Sequence, residues 1–377
     1  MVAVIMSIGG LLLALAFRPW LTETNVSALV SPSSVSPISV PSGFAVNLFA
    51  SGLKDPRFIR FGPDGALYVA ERGADRVIAL GDHDGDGVAE ISRVFADRLD
   101  NPHSLVFHAG AWYVGVPSGV VLLTDRDNDG KAEHREALIR NYPTSGHSTR
   151  TVEFLPDGRM VVSIGSSCNS CLEDDPRRAT VLVYDGPNAT RERIFAKGLR
   201  NAVGLAVHPG SGELWATNNG RDWLGDDLPP EAIYIVRDGL DYGWPRCHNG
   251  TIIDPEYGMP DACKGVVTPV INMQAHSAPL GLVFYTGTAF PPEYRGDLFI
   301  AFHGSWNRSN PTGYKVVRLP LDGSKPRGPL EDFATGWLDA TRQIVSGRPV
   351  GLAVGPDGAL YVSDDKAGLI YRISYKQ

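Results

Sequence analysis

One strand–turn–strand unit recurs along this chain, and it narrows the fold more than any other feature. In FGPDGALYVAERG (61–73), FLPDGRMVVSIGS (154–166) and VGPDGALYVSDD (354–365), a Pro/Gly turn joins two short strands. GLRNAVGLAVHPGSGELWATNNG (198–220) carries the same core, LVFHAGAWYVGV (105–116) is a degraded copy, and LVFYTGTAFPPEYRGDLFIAF (282–302) has a longer turn. Strands separated by Gly-bearing turns form hairpins. Six copies, the closest about 45–50 residues apart, mean a unit that buries its faces only by stacking on its neighbours. Segments such as Arg76–Leu80, Ala232–Val236 and Leu369–Ile373 supply further strands per copy. Four short strands per repeat predict an all-β chain, a six-bladed β-propeller with four-stranded antiparallel blades. The plain alternative is an irregular β-sandwich.

The 377 residues suffice for two domains, yet no internal linker divides them. The 42 glycines and 28 prolines suit a turn-rich chain, and a net charge of −7 argues against nucleic acid or an anionic membrane surface as partner. Residues 1–22 open with MVAVIMSIGGLLLALAF, an uncharged run that reads as a signal peptide or, lacking a basic start, an N-terminal membrane anchor. Residues 23–42 are Ser/Pro-rich and read as a linker, leaving 43–377 as the propeller. The expected location is exported: periplasmic or extracellular, with tethering by the first segment as the variant. Four cysteines in such a compartment make two disulfides. Cys168–Cys171 with Cys247–Cys263 is the simplest of three pairings. Leu172 follows the CxxC where covalent haem attachment needs histidine, and no second CxxC completes a zinc site.

Aligning the copies on their turn proline brings polar residues into register. His147 and Arg200 stand nine residues before Pro156 and Pro209, whereas Asn201 and Arg348 stand eight before Pro209 and Pro356. His276 lies near this register, five residues before Gly281. The turns leading into the innermost strands of a propeller ring one channel mouth, so these residues are expected to converge. Convergent polar groups on an apolar scaffold are the make-up of a ligand site. Two histidines beside two arginines suit an anionic ligand and a proton to be moved. The other histidines, His83, His103, His108, His134, His208, His248 and His303, are assigned to structure.

Two further motifs, DHDGDGVAE (82–90) and DRDNDGKAE (125–133), fall between third and fourth strands and so on the opposite face. Asp82, Asp84, Asp86 and Glu90, and likewise Asp125, Asp127, Asp129 and Glu133, have the spacing that wraps oxygens round a structural calcium ion. The alternative is a pair of Asp/Gly turns.

Together, GLRNAVGLAVHP–GELWATNNG–DD, GHSTRTVEFLPDG, LDYGWP, SAPLGLVFYTG, HGSWNR–PTGYKVVRL and GRPVGLAVGPDGALYVSDD resemble the pyrroloquinoline-quinone (PQQ)-dependent glucose/sorbosone dehydrogenases, nearest the sorbosone- and pyranose-oxidising branch. The resemblance spans about residues 43–375. It implies PQQ and Ca²⁺ at the mouth and oxidation of an aldose or related aldehyde. Electrons then pass to an external acceptor, a quinone or a cytochrome. His147 corresponds to the general base. Arg200 and Asn201 correspond to the cofactor-contacting pair, with Arg200 polarising the quinone carbonyl. Gly220 and Arg221 match the backbone carbonyls that hold the catalytic calcium, with Asn219 beside them. His276 and Arg348 match cofactor contacts, and Arg308 stands in for a family lysine that is missing. Gly146 replaces the aspartate that precedes the base in glucose-oxidising members, and Val350 replaces a second arginine. Two other classes remain open: a non-catalytic exported binding propeller, and a calcium-dependent propeller lactonase or hydrolase, which needs carboxylates or amides converging at the centre.

Overall fold

Three of the Pro-Asp-Gly turns place their glycine in the left-handed region, at φ of 79°, 82° and 76° for Gly65, Gly158 and Gly358. A side-chain-bearing residue pays for that conformation and glycine does not, which is why the turn recurs in this form. The computed structural model describes residues 38–127 and 129–376. Each turn joins the first two strands of a four-stranded antiparallel blade. The first strands of the six blades are Pro56–Phe61, Ser104–His108, Val152–Phe154, Leu205–Val207, Pro279–Phe284 and Pro349–Val354. Each touches the next and the last returns to the first, closing a ring.

The expected architecture is therefore present, with small shifts at strand ends. Within the copy at 198–220 the two strands run Leu205–Val207 and Leu214–Asn218. The outer strand of the sixth blade comes from the other end of the domain: Phe44–Ala50 pairs antiparallel with Leu369–Tyr375. Closure by both chain ends leaves no blade with a missing edge.

The core lies between blades. Tyr68, Phe95, Trp112 and Val114 pack blade one on blade two, and Val161, Leu199, Leu214 and Tyr234 pack blade three on blade four. Phe44 meets Phe290, Phe333 and Tyr375 edge-on at 4.7–5.0 Å, joining blades five and six. Near the axis, hydroxyls stitch blades together. Ser104 donates to the Arg150 carbonyl at 2.8 Å, Thr217 to that of Leu280 at 2.9 Å and Ser363 to that of Arg57 at 2.6 Å. Val203, Leu280 and Val350, backed by Phe58, form an apolar plug across the channel. Val350, which stands where the resemblance implied a second arginine, is fully buried in that plug.

Both disulfides, Cys168–Cys171 and Cys247–Cys263, are formed, and no cysteine is free. The aspartate motifs occupy the loops between third and fourth strands, beside the Pro-Asp-Gly turn of blade one and away from the lead-in turns. Their carboxylates gather, Asp82, Asp84, Asp86 and Glu90 in one loop and Asp125, Asp127, Asp129 and Glu133 in the other. Among the described residues no helix is long and apolar enough to cross a membrane. The expected leader, 1–22, and residues 23–37 of the expected linker lie outside the described residues.

Candidate active site

The lead-in turns deliver their polar residues to one mouth above the plug. His147 is held first through its backbone, its carbonyl accepting from Arg150 at 3.0 Å and from Arg178 at 3.3 Å. The ring is held through Nδ1, which lies 3.0 Å from the Ser166 carbonyl and 2.9 Å from its hydroxyl oxygen. That hydroxyl spends its own proton on the Cys168 carbonyl at 2.6 Å. Both Ser166 oxygens can then only accept, so Nδ1 carries the imidazole proton and Nε2 keeps its lone pair. Nε2 has no partner among the described residues. Burial, and next the charge of Arg200, lower the His147 pKa to about 4, so the ring is neutral near pH 7.

Asn201 flanks the same space. A β-carbon built on Gly165 falls 2.6 Å from His147 Cβ and 2.7 Å from Asn201 Oδ1, so only glycine leaves the gap open. The Asn201 side-chain amide makes no hydrogen bond to the described residues, whereas its backbone N–H donates to Asn218 at 3.1 Å. Gly146 has a φ of 63°, and a β-carbon there would collide with the Ser167 backbone. An aspartate at this position, the residue the resemblance implied for glucose-oxidising members, has no room in this turn.

Arg200 differs from expectation. All five of its N–H groups are donated to protein oxygens. Nε binds the Asn169 carbonyl at 2.9 Å, one terminal nitrogen binds the carbonyls of Gly220 at 2.6 Å and Asn219 at 3.4 Å, and the other binds Asn169 Oδ1 at 2.9 Å and Asp222 at 3.0 Å. No N–H remains to polarise a ligand carbonyl. Arg200 ties loops together and places a buried positive charge beside His147. The same bonds bear on the metal expectation, because the Gly220 carbonyl is already taken by a cation. The Arg221 side chain points away and pairs with buried Asp254 at 2.5 Å.

Two other expected contacts are turned into the wall. His276 is 4% exposed, with Nε2 2.9 Å from the Gly225 carbonyl and Nδ1 4.0 Å from Asp222. Arg308 reaches the acidic exit loop, binding the Asp226 carbonyl, Asp227 at 3.3 Å and the Ala275 carbonyl at 3.3 Å. Asn219 Nδ2 donates to the Pro279 carbonyl at 2.8 Å. Arg348 stays at the mouth: Nε and one terminal nitrogen donate to the carbonyls of His303 at 3.2 Å and Gly304 at 3.0 Å, leaving the other terminal nitrogen unused. Its guanidinium lies 5.7 Å from the Tyr314 ring centroid.

Several residues of the polar network and rim escaped sequence reasoning. Asp222 joins Arg200, Asn307 at 2.8 Å and His276. His303, assigned to structure from the sequence, binds Asp365 at 2.9 Å, and Asp365 also pairs with buried Arg57. Arg57 and His303 hold the Asp365 carboxyl below its usual range against the opposing effect of burial. At the rim, Trp223 and Trp306, each 65% exposed, meet edge-to-face at 5.2 Å. Trp306 neighbours Asn307, which binds Asp222, so the indoles stand beside the polar network. Apart from Asp365, the last residue of the copy at 354–365, no repeat position marks these residues. The one available signal was the acidic run after Asn219.

Residues 31–372 match the family described as "Domain of unknown function (DUF7133)". The chain belongs to that family. An uncharacterized protein of Borreliella burgdorferi is 30% identical over 364 residues, covering 91% of this chain and 92% of that protein. The pyrroloquinoline quinone-dependent pyranose dehydrogenase of Coprinopsis cinerea is 27% identical over 420 residues, which cover 93% of this chain. The match takes in 56% of that enzyme, so this member of the family spans little over half its length. The holo structure of the PQQ domain of Coprinopsis cinerea pyranose dehydrogenase superposes with a TM-score of 0.79 at 24% identity, over 90% of this chain and 97% of that one. This last likeness shows the propeller fold.

Proposed function

We propose that this protein is a PQQ-dependent dehydrogenase of aldoses or related sugar aldehydes, exported, that hands its electrons to an external quinone or cytochrome. The observation that carries the reading is the gap over Gly165: a neutral His147 and the Asn201 amide border it, and neither His147 Nε2 nor that amide has a partner among the described residues. Buried or half-buried polar groups left unpaired at a mouth are poised for a ligand. In another lead-in turn, Arg348 keeps one terminal nitrogen without a partner among the described residues, which suits a carboxylate, and PQQ is a flat tricarboxylate. The residues present fit the cofactor at these three points. PQQ supplies the two-electron acceptor when bound.

The chain's own groups do the rest. His147 Nε2 accepts the hydroxyl proton of the sugar, Ser166 fixing the tautomer that allows it. Arg200 contributes fixed positive charge without a hydrogen bond of its own, and Asn201 orients whatever lies above Gly165. Exposed Trp223 and Trp306 offer aromatic faces beside the mouth, of a kind that suits the apolar face of a sugar ring. A Ca²⁺ ion at the Gly220 and Arg221 carbonyls would share the first with Arg200, so this donor set fits calcium less well than the mouth fits PQQ. The hydrolase reading lacks support of the same kind, because Asp222 is tied to Arg200 and Asn307, and Glu231 to backbone amides.

The test is reconstitution. Purified protein is titrated with PQQ, with and without Ca²⁺, and then given an artificial electron-accepting dye and a panel of aldoses and aldehydes. Saturable PQQ binding with sugar-dependent dye reduction is the expected result. Absence of PQQ binding at any calcium concentration would sink the reading.

A further inference from the structure

Asn169 sits between the two half-cystines of Cys168–Cys171, at the exit of blade three. Its side-chain oxygen accepts from Arg200 at 2.9 Å and from the Asp222 N–H at 2.7 Å. Its side-chain nitrogen donates to the Asp222 carbonyl at 3.1 Å, and its own carbonyl accepts from Arg200 Nε at 2.9 Å. One half-buried residue thus makes four hydrogen bonds to two residues of the next blade's mouth. The short loop that carries it is pinned twice more. The Cys168 carbonyl accepts the Ser166 hydroxyl that faces His147, and Glu173 accepts the N–H of Ser167 at 2.7 Å and its hydroxyl at 2.6 Å.

These bonds demand asparagine's chemistry. An acceptor and a donor must stand on one short side chain, meeting the N–H and C=O of Asp222 while the acceptor's second lone pair takes Arg200. Side chains so locked are how a site holds its geometry. We propose that Asn169 is a positioning residue, fixing Arg200 and Asp222 relative to His147 from a disulfide-closed loop. The proposal rests on the dehydrogenase reading for its catalytic consequence, though not for its geometry. A misplacement of about 1 Å in such a constellation costs on the order of 10²-fold in rate.

The experiment compares Asn169→Ala and Asn169→Asp with the parent, in the full chain. Aspartate keeps the acceptor for Arg200 and the Asp222 N–H, loses the donor and adds a negative charge beside Arg200. In the cofactor-free protein, the His147 ring is titrated by NMR, its signal assigned with His147→Gln. Arg200 released from Asn169 lowers the His147 pKa less, so Asn169→Ala should titrate higher than the parent. The charge added in Asn169→Asp raises the His147 pKa by itself, so that variant is read through kcat alone. In reconstituted enzyme, kcat should fall about 10- to 100-fold in Asn169→Ala, with at least a partial return in Asn169→Asp. A His147 titration identical in parent and Asn169→Ala overturns the positioning role, as does a parent-like kcat in Asn169→Ala. If Asn169→Ala does not fold, Asn169→Ser, neutral and lacking the amide, takes its place with the same two outcomes. A parent that binds no PQQ defeats the dehydrogenase reading alone, because the apoprotein titration still decides what Asn169 does.

Discussion

The carboxylate of Glu231 accepts the backbone N–H of Gly220 at 2.7 Å, directly behind the loop whose carbonyl Arg200 holds. Its second oxygen receives the Ala278 N–H at 3.3 Å. Glu231 is 3% exposed, and burial raises its pKa to about 8 against the opposing pull of those amides and of Arg200. Near neutrality the loop therefore rests on a largely protonated acid.

The first prediction follows by linkage. The unfolded chain releases this proton near the ordinary value of 4.5, the folded protein only near 8. Between those values the folded state binds the extra proton, so stability is greatest at the acidic end and falls as pH rises. Glu231→Gln mimics the protonated form and removes that slope. Thermal unfolding from pH 5 to 8 should show a flatter Tm profile for the variant. Parallel profiles would show that Glu231 titrates normally.

The second concerns the Cys247–Cys263 bridge, which spans 16 residues of sequence. It encloses Asp254, which receives Arg221 at 2.5 Å and lies 2.8 Å from His248. Replacing both cysteines with serine frees that loop in the unfolded chain and should cost about 3 kcal/mol. Urea unfolding of the oxidised protein and the double variant checks this, and equal midpoints would refute it.

The blades were legible because each is built from local pairings and its turn demands a glycine at positive φ. The closure was not, since Phe44–Ala50 meets Leu369–Tyr375 only after the whole ring has formed. At the mouth, register alone located His147, Asn201 and Arg348. It could not say which way a side chain turns once it arrives. His276 and Arg308 are consumed by the carbonyls and carboxylates of the exit loop, and Arg200 by five protein oxygens. Asn169 was invisible for a related reason, and the acidic run holding Asp222 gave no sign of its contacts. Asn169 meets its partners in the next blade, and Asp222 reaches Asn307 in the one after its own, contacts of which a short-range pattern carries no trace.

Arg348→Ala should weaken PQQ binding without removing the base. A hydrogen bond to a charged group contributes about 1.5–3 kcal/mol, or roughly 10- to 100-fold in affinity. The backbone N–H of Arg348 binds Asp364 at 2.9 Å and survives the substitution, so the turn keeps its shape. Titration of the apoprotein with PQQ, followed by fluorescence quenching, gives the ratio. Unchanged affinity would remove Arg348 from the cofactor site.

His147→Ala should leave PQQ affinity nearly intact and lower kcat by about 10²–10⁴-fold, the usual contribution of a positioned base. The pH dependence supplies a sharper test. Burial, then Arg200, depress the imidazole to about 4, so the acid limb of kcat/KM in the parent should fall well below the ordinary histidine value of 6.5. The same depression makes a stability contribution that is present above 6.5 and lost as pH falls toward 4. In His147→Ala the limb should vanish along with most of the rate. Near-normal turnover in that variant would exclude His147 as the base and shift attention to His303, whose Nε2 already binds Asp365.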